Sequence, residues 1–345
     1  VRWGGIPSLR EWRSLVGVVL PDGRELLLSE VGTGELWVSD LAAVSTGAFT
    51  RVHEDAYPLV PDGFSAVADG EGVWLATGGA TPGVWRLDPA TGVAVREAAA
   101  PPGTWVDDLW ASDGELTALF RSLSRVTLIR RSGGSWLTQE IPLPALAEDE
   151  FPARLLPFPG GFLLPVWSGN ESFEYRWDGR EWTRHAAGDL PDHTLRTPLG
   201  ILGMEHDRPD FFVIPSPDPA TWEQIQLPDG WPLALHDRVV VVAPRRLWLS
   251  SDLRHWSEVP LDLVHGFTGR YPQVIPGLSS LAVATGSPDG LELWRWEPPP
   301  REGRRPYSIT PSLRRKAWLL GSRPRKARSM ASASRLPPRS RISRR

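Results

Sequence analysis

Cysteine is absent from this 345-residue chain, so no disulfide, thiol nucleophile or thiolate metal site is available to it. Asparagine occurs once, at Asn170, methionine twice, and lysine only at Lys316 and Lys326. A single asparagine leaves few of the amide oxygens that calcium sites use beside carboxylates. No apolar run approaches the roughly 20 residues of a membrane-spanning helix, which argues against an integral membrane protein. The start, Val1-Arg2-Trp3-Gly4-Gly5, has no basic stretch leading into an apolar signal core. That implies a cytoplasmic location, or an exported one if the start is truncated. The seven histidines form no His-x-His or His-x-x-x-His pair, and the glycine-rich stretch 76–83 lacks the lysine and helix of a phosphate loop. No cofactor is expected.

What the chain has is tryptophan, glycine and proline: 18, 33 and 35 residues. Its formal charge of -3 hides a split. Residues 301–345 hold 15 Lys and Arg against one acid, Glu302, for +14; residues 1–300 carry -17, and every basic residue there is Arg. The composition changes after Glu297-Pro298-Pro299-Pro300, a run that ends a strand and stiffens the chain. Residues 1–300 therefore read as the folded body, and 301–345 as a basic tail rich in Arg, Ser and Pro, with too little apolar surface to fold. Such a tail can bind nucleic acid or an anionic membrane by counterion release, or lie against the acidic body. An out-of-frame reading of GC-rich coding DNA would give the same composition. Nucleic acid is a partner only through this tail.

The body reads as short strands throughout. Gly72-Val73-Trp74-Leu75-Ala76, Arg125-Val126-Thr127-Leu128-Ile129 and Arg238-Val239-Val240-Val241-Val242 are examples, each bounded by turn residues. Residues 143–150 look helical at first but suit a loop or one turn. Equivalent positions recur at 37, 85, 128, 175, 212, 248 and 294, a spacing of 36 to 48 residues. Four short strands per unit at that period predict an all-β fold, a seven-bladed β-propeller, with six blades as the alternative. The predicted blades span 17–55, 60–103, 104–145, 151–192, 193–230, 231–262 and 263–297. The N-terminal stretch 8–16 is expected to close the ring by serving as the last blade's outer strand.

Ser250, Asp252 and Trp256, and likewise Ser216, Asp218 and Trp222, fall in the order of the Asp-box motif, Ser-x-Asp-x-Gly-x-x-Trp. Both sets are one residue short and lack the glycine. On these residues the chain resembles Asp-box (BNR-type) repeat propellers, the sialidase-like superfamily in the broad sense. The resemblance implies a turn held by local hydrogen bonds and a Trp packed between blades. A sialidase would add an arginine cluster, a Tyr nucleophile with a Glu partner, and an N-terminal aromatic-Arg-Ile-Pro motif. Here Gly4-Gly5-Ile6-Pro7 stands in place of that motif. Tyr271, next to Arg270, is the best-placed tyrosine for such a role. Trp105, Trp110 and Trp167 lie in or beside predicted inner strands and are the candidate ligand-facing aromatics. Asp107, Asp108, Glu205 and Asp207 are the oxygen donors a metal would find, although solvated turn carboxylates explain them better. The composite expectation is a monomeric, non-enzymatic propeller that binds a protein or glycan partner. The alternative is a glycoside hydrolase with a central acidic pocket.

Overall fold

Short antiparallel runs joined by tight turns build each unit, because Asp, Gly and Pro interrupt the apolar stretches every five to eight residues. The computed structural model describes residues 14–296, apart from 31–33, 44–47, 113, 153–154, 159–160, 169–170, 187–192, 205–210, 215–220, 245, 261–272 and 288–289. Among the described residues every regular element is a β-strand.

The first blade holds β1 (Ser14–Val19), β2 (Glu25–Glu30), β3 (Leu36–Asp40) and β4 (Thr50–Arg51). A two-stranded ribbon, β5 (His53–Glu54) and β6 (Tyr57–Pro58), follows it. The second has β7 (Phe64–Asp69), β8 (Gly72–Thr77), β9 (Gly83–Leu87) and β10 (Ala94–Ala99). The third comprises β11 (Trp105–Ser112), β12 (Glu115–Arg121), β13 (Arg125–Ser132) and β14 (Ser135–Pro142).

In the fourth blade the inner strand is split into β15 (Glu150–Pro152) and β16 (Leu156–Phe158), followed by β17 (Gly161–Ser168), β18 (Glu171–Trp177) and β19 (Trp182–Ala186). The fifth blade is β20 (His193–Thr197), β21 (Gly200–Met204), β22 (Phe211–Ile214) and β23 (Glu223–Ile225). In the sixth are β24 (Trp231–Ala234), β25 (Val239–Ala243), β26 (Arg246–Ser250) and β27 (Ser257–Pro260). A last sheet contains β28 (Gln273–Val274), β29 (Leu281–Ser287) and β30 (Gly290–Trp296). The fold is thus a β-propeller with six blades of four or five strands, and a seventh sheet of three described strands completes the ring.

The seven sequence positions that defined the repeat all fall on the third strand of their unit: β3, β9, β13, β18, β22, β26 and β30. Residues 143–149 form a connection without a helix, as expected. The core lies between sheets. Leu26, Leu28, Val38, Leu75 and Trp85 join the first and second, while Trp74, Ala118, Phe120 and Ile129 join the second and third. Similar clusters fill every later interface, through Leu27, Phe49, Ile275 and Leu278 between the last sheet and the first. Trp74 and Trp85 are fully enclosed and pack between blades.

Ring closure differs from the sequence expectation. Leu15 and Val16 do not extend the last sheet; they lie in β1, paired with Ser29 and Leu28 of the first blade. The N-terminal strand does close the ring, by a different contact. The Gly17 N–H donates to the Pro276 carbonyl at 2.8 Å. A side chain at position 17 would clash with Leu278, so glycine there permits the close approach of the first and last sheets. Residues 8–13 and the tail 301–345 lie outside the described residues.

In the sixth blade the turn between the third and fourth strands, where Ser250 and Asp252 follow the order of the Asp-box motif, is held by backbone N–H groups donating to those two side chains. Ser250 Oγ accepts from the Leu253 N–H at 2.8 Å, and Asp252 Oδ1 accepts from the N–H groups of Arg254 and His255 at 2.9 and 2.8 Å. Trp256 packs with Leu202, Val239 and Leu253 between the fifth and sixth blades. Ser216 and Asp218, the other match, lie outside the described residues. The His255 imidazole, then the two backbone N–H groups, hold the Asp252 carboxyl well below the usual carboxylate range. A depressed pKa stabilises the fold above the unfolded-state value and loses that contribution as pH falls. Asp252→Asn should therefore lower the thermal midpoint at pH 7, with the deficit shrinking below about pH 4; a deficit that is constant with pH would refute the role given to the charge.

Candidate functional site

Strand β11 supplies the richest chemistry. Its sequence, Trp105-Val106-Asp107-Asp108-Leu109-Trp110, would in a regular strand place Trp105 and Trp110 on opposite faces, since their separation is odd. The strand is not regular. Val106 pairs with Phe120 and Asp108 with Leu119, leaving Asp107 as an extra residue in a β-bulge. Beyond the bulge the pattern is inverted, so Trp105, opposite Arg121, and Trp110, opposite Thr117, share the face that carries Leu119. That face packs on the fourth blade.

Two guanidinium groups anchor this face. Arg121 Nε donates to Asp107 Oδ2 at 2.7 Å, with side chains only 9% and 5% exposed, and its guanidinium lies 5.2 Å from the centre of the Trp105 ring. Arg196, on the inner strand β20 of the fifth blade, donates from Nε to Asp108 Oδ2 at 2.6 Å. Its guanidinium covers the Trp110 ring at 4.5 Å. This second pair links the third blade to the fifth and so passes the inner edge of the fourth, where the inner strand is interrupted between Pro152 and Leu156. Each unit is therefore a carboxylate, a guanidinium and an indole in contact, partly withdrawn from water, where charge-assisted hydrogen bonds and cation–π contacts are strongest.

Trp167 lies on β17, half-buried and directly opposite Phe151 of β15. The structure thus unites Trp105 and Trp110 on one face and sets Trp167 on the neighbouring blade. Arg270 and Tyr271 lie outside the described residues, as do Glu205 and Asp207. Of the other tyrosines, Tyr175 packs against the core between the third and fourth blades, where burial pushes its phenol pKa up, and Tyr57 stands exposed on the ribbon. Asp107 and Asp108, considered as metal donors, are engaged by arginines, and among the described residues no group of three His, Asp or Glu side chains converges on a point. Sequence reasoning missed Arg121 and Arg196. Arg121 ends a mainly apolar strand, and Arg196 lies 88 residues from its partner, so no local pattern marks either.

No protein-family model matches this chain, and no curated protein matches it. Solved structures do resemble it. A puromycin-hydrolyzing peptidase of Mycobacterium tuberculosis aligns at 13% identity and a TM-score of 0.50, over 86% of this chain and 54% of that one. The chain therefore spans about half the length of that peptidase. AztD of Citrobacter koseri aligns at 14% identity and TM-score 0.40, over 72% and 71%. The β-propeller domain of the Trilobed protease from Pyrococcus furiosus aligns at 11% and 0.43, over 72% and 83%. At such identities the likeness extends to the fold alone.

Proposed function

We propose that this chain is a non-enzymatic propeller that binds a protein or carbohydrate partner through the inner strands of its third to fifth blades. The observation carrying this reading is the double anchor on β11. Asp107–Arg121 and Asp108–Arg196 hold Trp105 and Trp110 in fixed orientation on one face. Both indoles are half-buried, so part of each stays accessible beside oriented polar groups, and little side-chain entropy remains to be lost when a sugar ring or an interface side chain binds there. The resemblance to Asp-box propellers is compatible with this role, since the box is a structural turn.

A glycoside hydrolase reading draws on the adjacent carboxylates Asp107 and Asp108. Each, however, already accepts from a guanidinium at 2.6–2.7 Å, so one oxygen of each carboxylate is engaged in the anchor. The two readings separate on a glycan array probed with the full chain, run beside aryl-glycoside hydrolysis assays. Binding to a defined glycan class, weakened about ten-fold or more by Trp105→Ala, is expected. Turnover abolished by Asp108→Asn would replace the binding reading with the hydrolase one.

A further inference from the structure

In an antiparallel four-stranded blade, the second-to-third turns and the connections to the next blade lie on one face of the ring. The first-to-second and third-to-fourth turns lie on the other. Call the first the top. Its described connections (34–35, 52–63, 78–82, 100–104, 122–124, 143–149 and 226–230) contain Glu35, Glu54, Asp55, Asp62, Glu148, Asp149 and Asp229, and neither Lys nor Arg. The bottom turns are mixed: Arg24, Arg180, Arg238 and Arg254 each stand one or two residues from an Asp.

The top also gathers exposed apolar side chains. Leu123 in a second-to-third turn is 85% exposed, Phe151 at the start of the fourth blade 66%, and Trp231 at the start of the sixth 50%. Phe151 sits opposite Trp167, and the next residue, Ser168, donates from Oγ to Asp149 at 2.7 Å. A carboxylate is therefore fixed beside an aromatic pair at the mouth of the ring. Aromatic faces with adjacent carboxylates favour guanidinium and ammonium groups. The body itself repeats that chemistry, with Arg96 over Trp85, Arg131 beside Trp74 and Trp136, and Arg184 over Phe173.

We propose that the top face docks the chain's own basic segment, residues 301–345, with the Phe151–Trp167 pair and Asp149 receiving its cationic side chains. Charge complementarity selects this occupant: +14 in the segment against -17 in residues 1–300. Reach permits it. Twenty residues separate Trp296 from Lys316 and extend up to about 70 Å, whereas a compact body of this size has a radius of gyration of about 19 Å. The proposal stands apart from the binding function above, because its test scores only where the segment lies.

Both lysines of the chain are in that segment, so zero-length coupling of lysine amines to carboxylates, read by mass separately from links to the α-amine, reports its position. Full-length chain, mixed as light and heavy isotope forms, is treated with a carbodiimide and mapped by mass spectrometry. Expected are intramolecular links from Lys316 or Lys326 to Glu148, Asp149, Asp229 or Asp62. They should fall about five-fold in Phe151→Ala, an exposed position whose change leaves the fold intact. They should also fade at 1 M salt, where the screening length is about 3 Å. Links spread equally over Asp22, Asp88, Asp178 and Asp252 on the bottom would overturn the proposal. So would an absence of lysine links, or links found only between light and heavy chains, which would make a second copy the source of the segment.

Discussion

Arg121→Ala is expected to destabilise the chain by about 3–5 kcal/mol, the cost of removing one partner from a buried ion pair. Asp107 would keep its place on the bulge while losing its charged partner at 2.7 Å, in surroundings that leave it 5% exposed. Loss of the guanidinium from the Trp105 ring should also shift the fluorescence of that indole to longer wavelength. Chemical denaturation measures the first effect. The paired exchange Asp107→Leu with Arg121→Met should recover most of the loss, because a well-packed apolar pair avoids the desolvation penalty. A single-variant cost below about 1 kcal/mol would place the pair among ordinary surface bridges and remove the anchor on which the proposed site depends.

The second large effect concerns ring closure. Glu25, 4% exposed at the start of β2, accepts from Ser279 Oγ at 2.8 Å, from the Ser280 N–H at 2.8 Å and from Ser280 Oγ at 2.8–3.0 Å. It therefore ties the first blade to the last across 255 residues of chain. Glu25→Ala should cost about 3 kcal/mol or more, since several buried donors would lose a charged acceptor at once. Glu25→Gln keeps an oxygen in the same position and should cost less. Hydrogen exchange makes the test specific: protection should fall in residues 14–30 and 275–282 while β12 and β13 stay protected. A uniform fall across all blades would show that the contact is not a local clasp.

Much of this fold was legible in the sequence because blade construction is local. Strand lengths, the Asp and Gly residues of the turns, and the recurrence of one third-strand position every 36 to 48 residues all act over a few neighbours. The predicted blade 104–145 corresponds to strands running from Trp105 to Pro142, and 231–262 to strands from Trp231 to Pro260. The first blade is the exception. Its inner strand begins at Ser14, although Glu11-Trp12-Arg13-Ser14-Leu15-Val16 resembles an outer strand in composition, because composition does not say which sheet edge a strand will join.

The candidate site was legible only in part. Trp105 and Trp110 stand out as aromatics on an inner strand, and both belong to the anchored face. Their shared orientation did not follow from alternation, since one extra residue at Asp107 reverses it. The two arginines were invisible, because a guanidinium on a strand has no sequence signature until its carboxylate is known. Trp167 lies on β17 beside the inner strand, and its exposed partner Phe151 emerged only from the pairing register.

By itself, then, the sequence determined an all-β ring of repeated antiparallel units, the strand in each unit that carries the repeat position, and a charge split between body and tail. These follow from short-range periodicity, turn chemistry and counting. Tertiary structure alone decided how the ring closes, which carboxylate meets which guanidinium, and which face, among the described residues, carries the exposed aromatics and the acid-rich connections. Those depend on contacts between residues 14 to 255 positions apart and on a single bulged residue, and neither leaves a trace in local pattern.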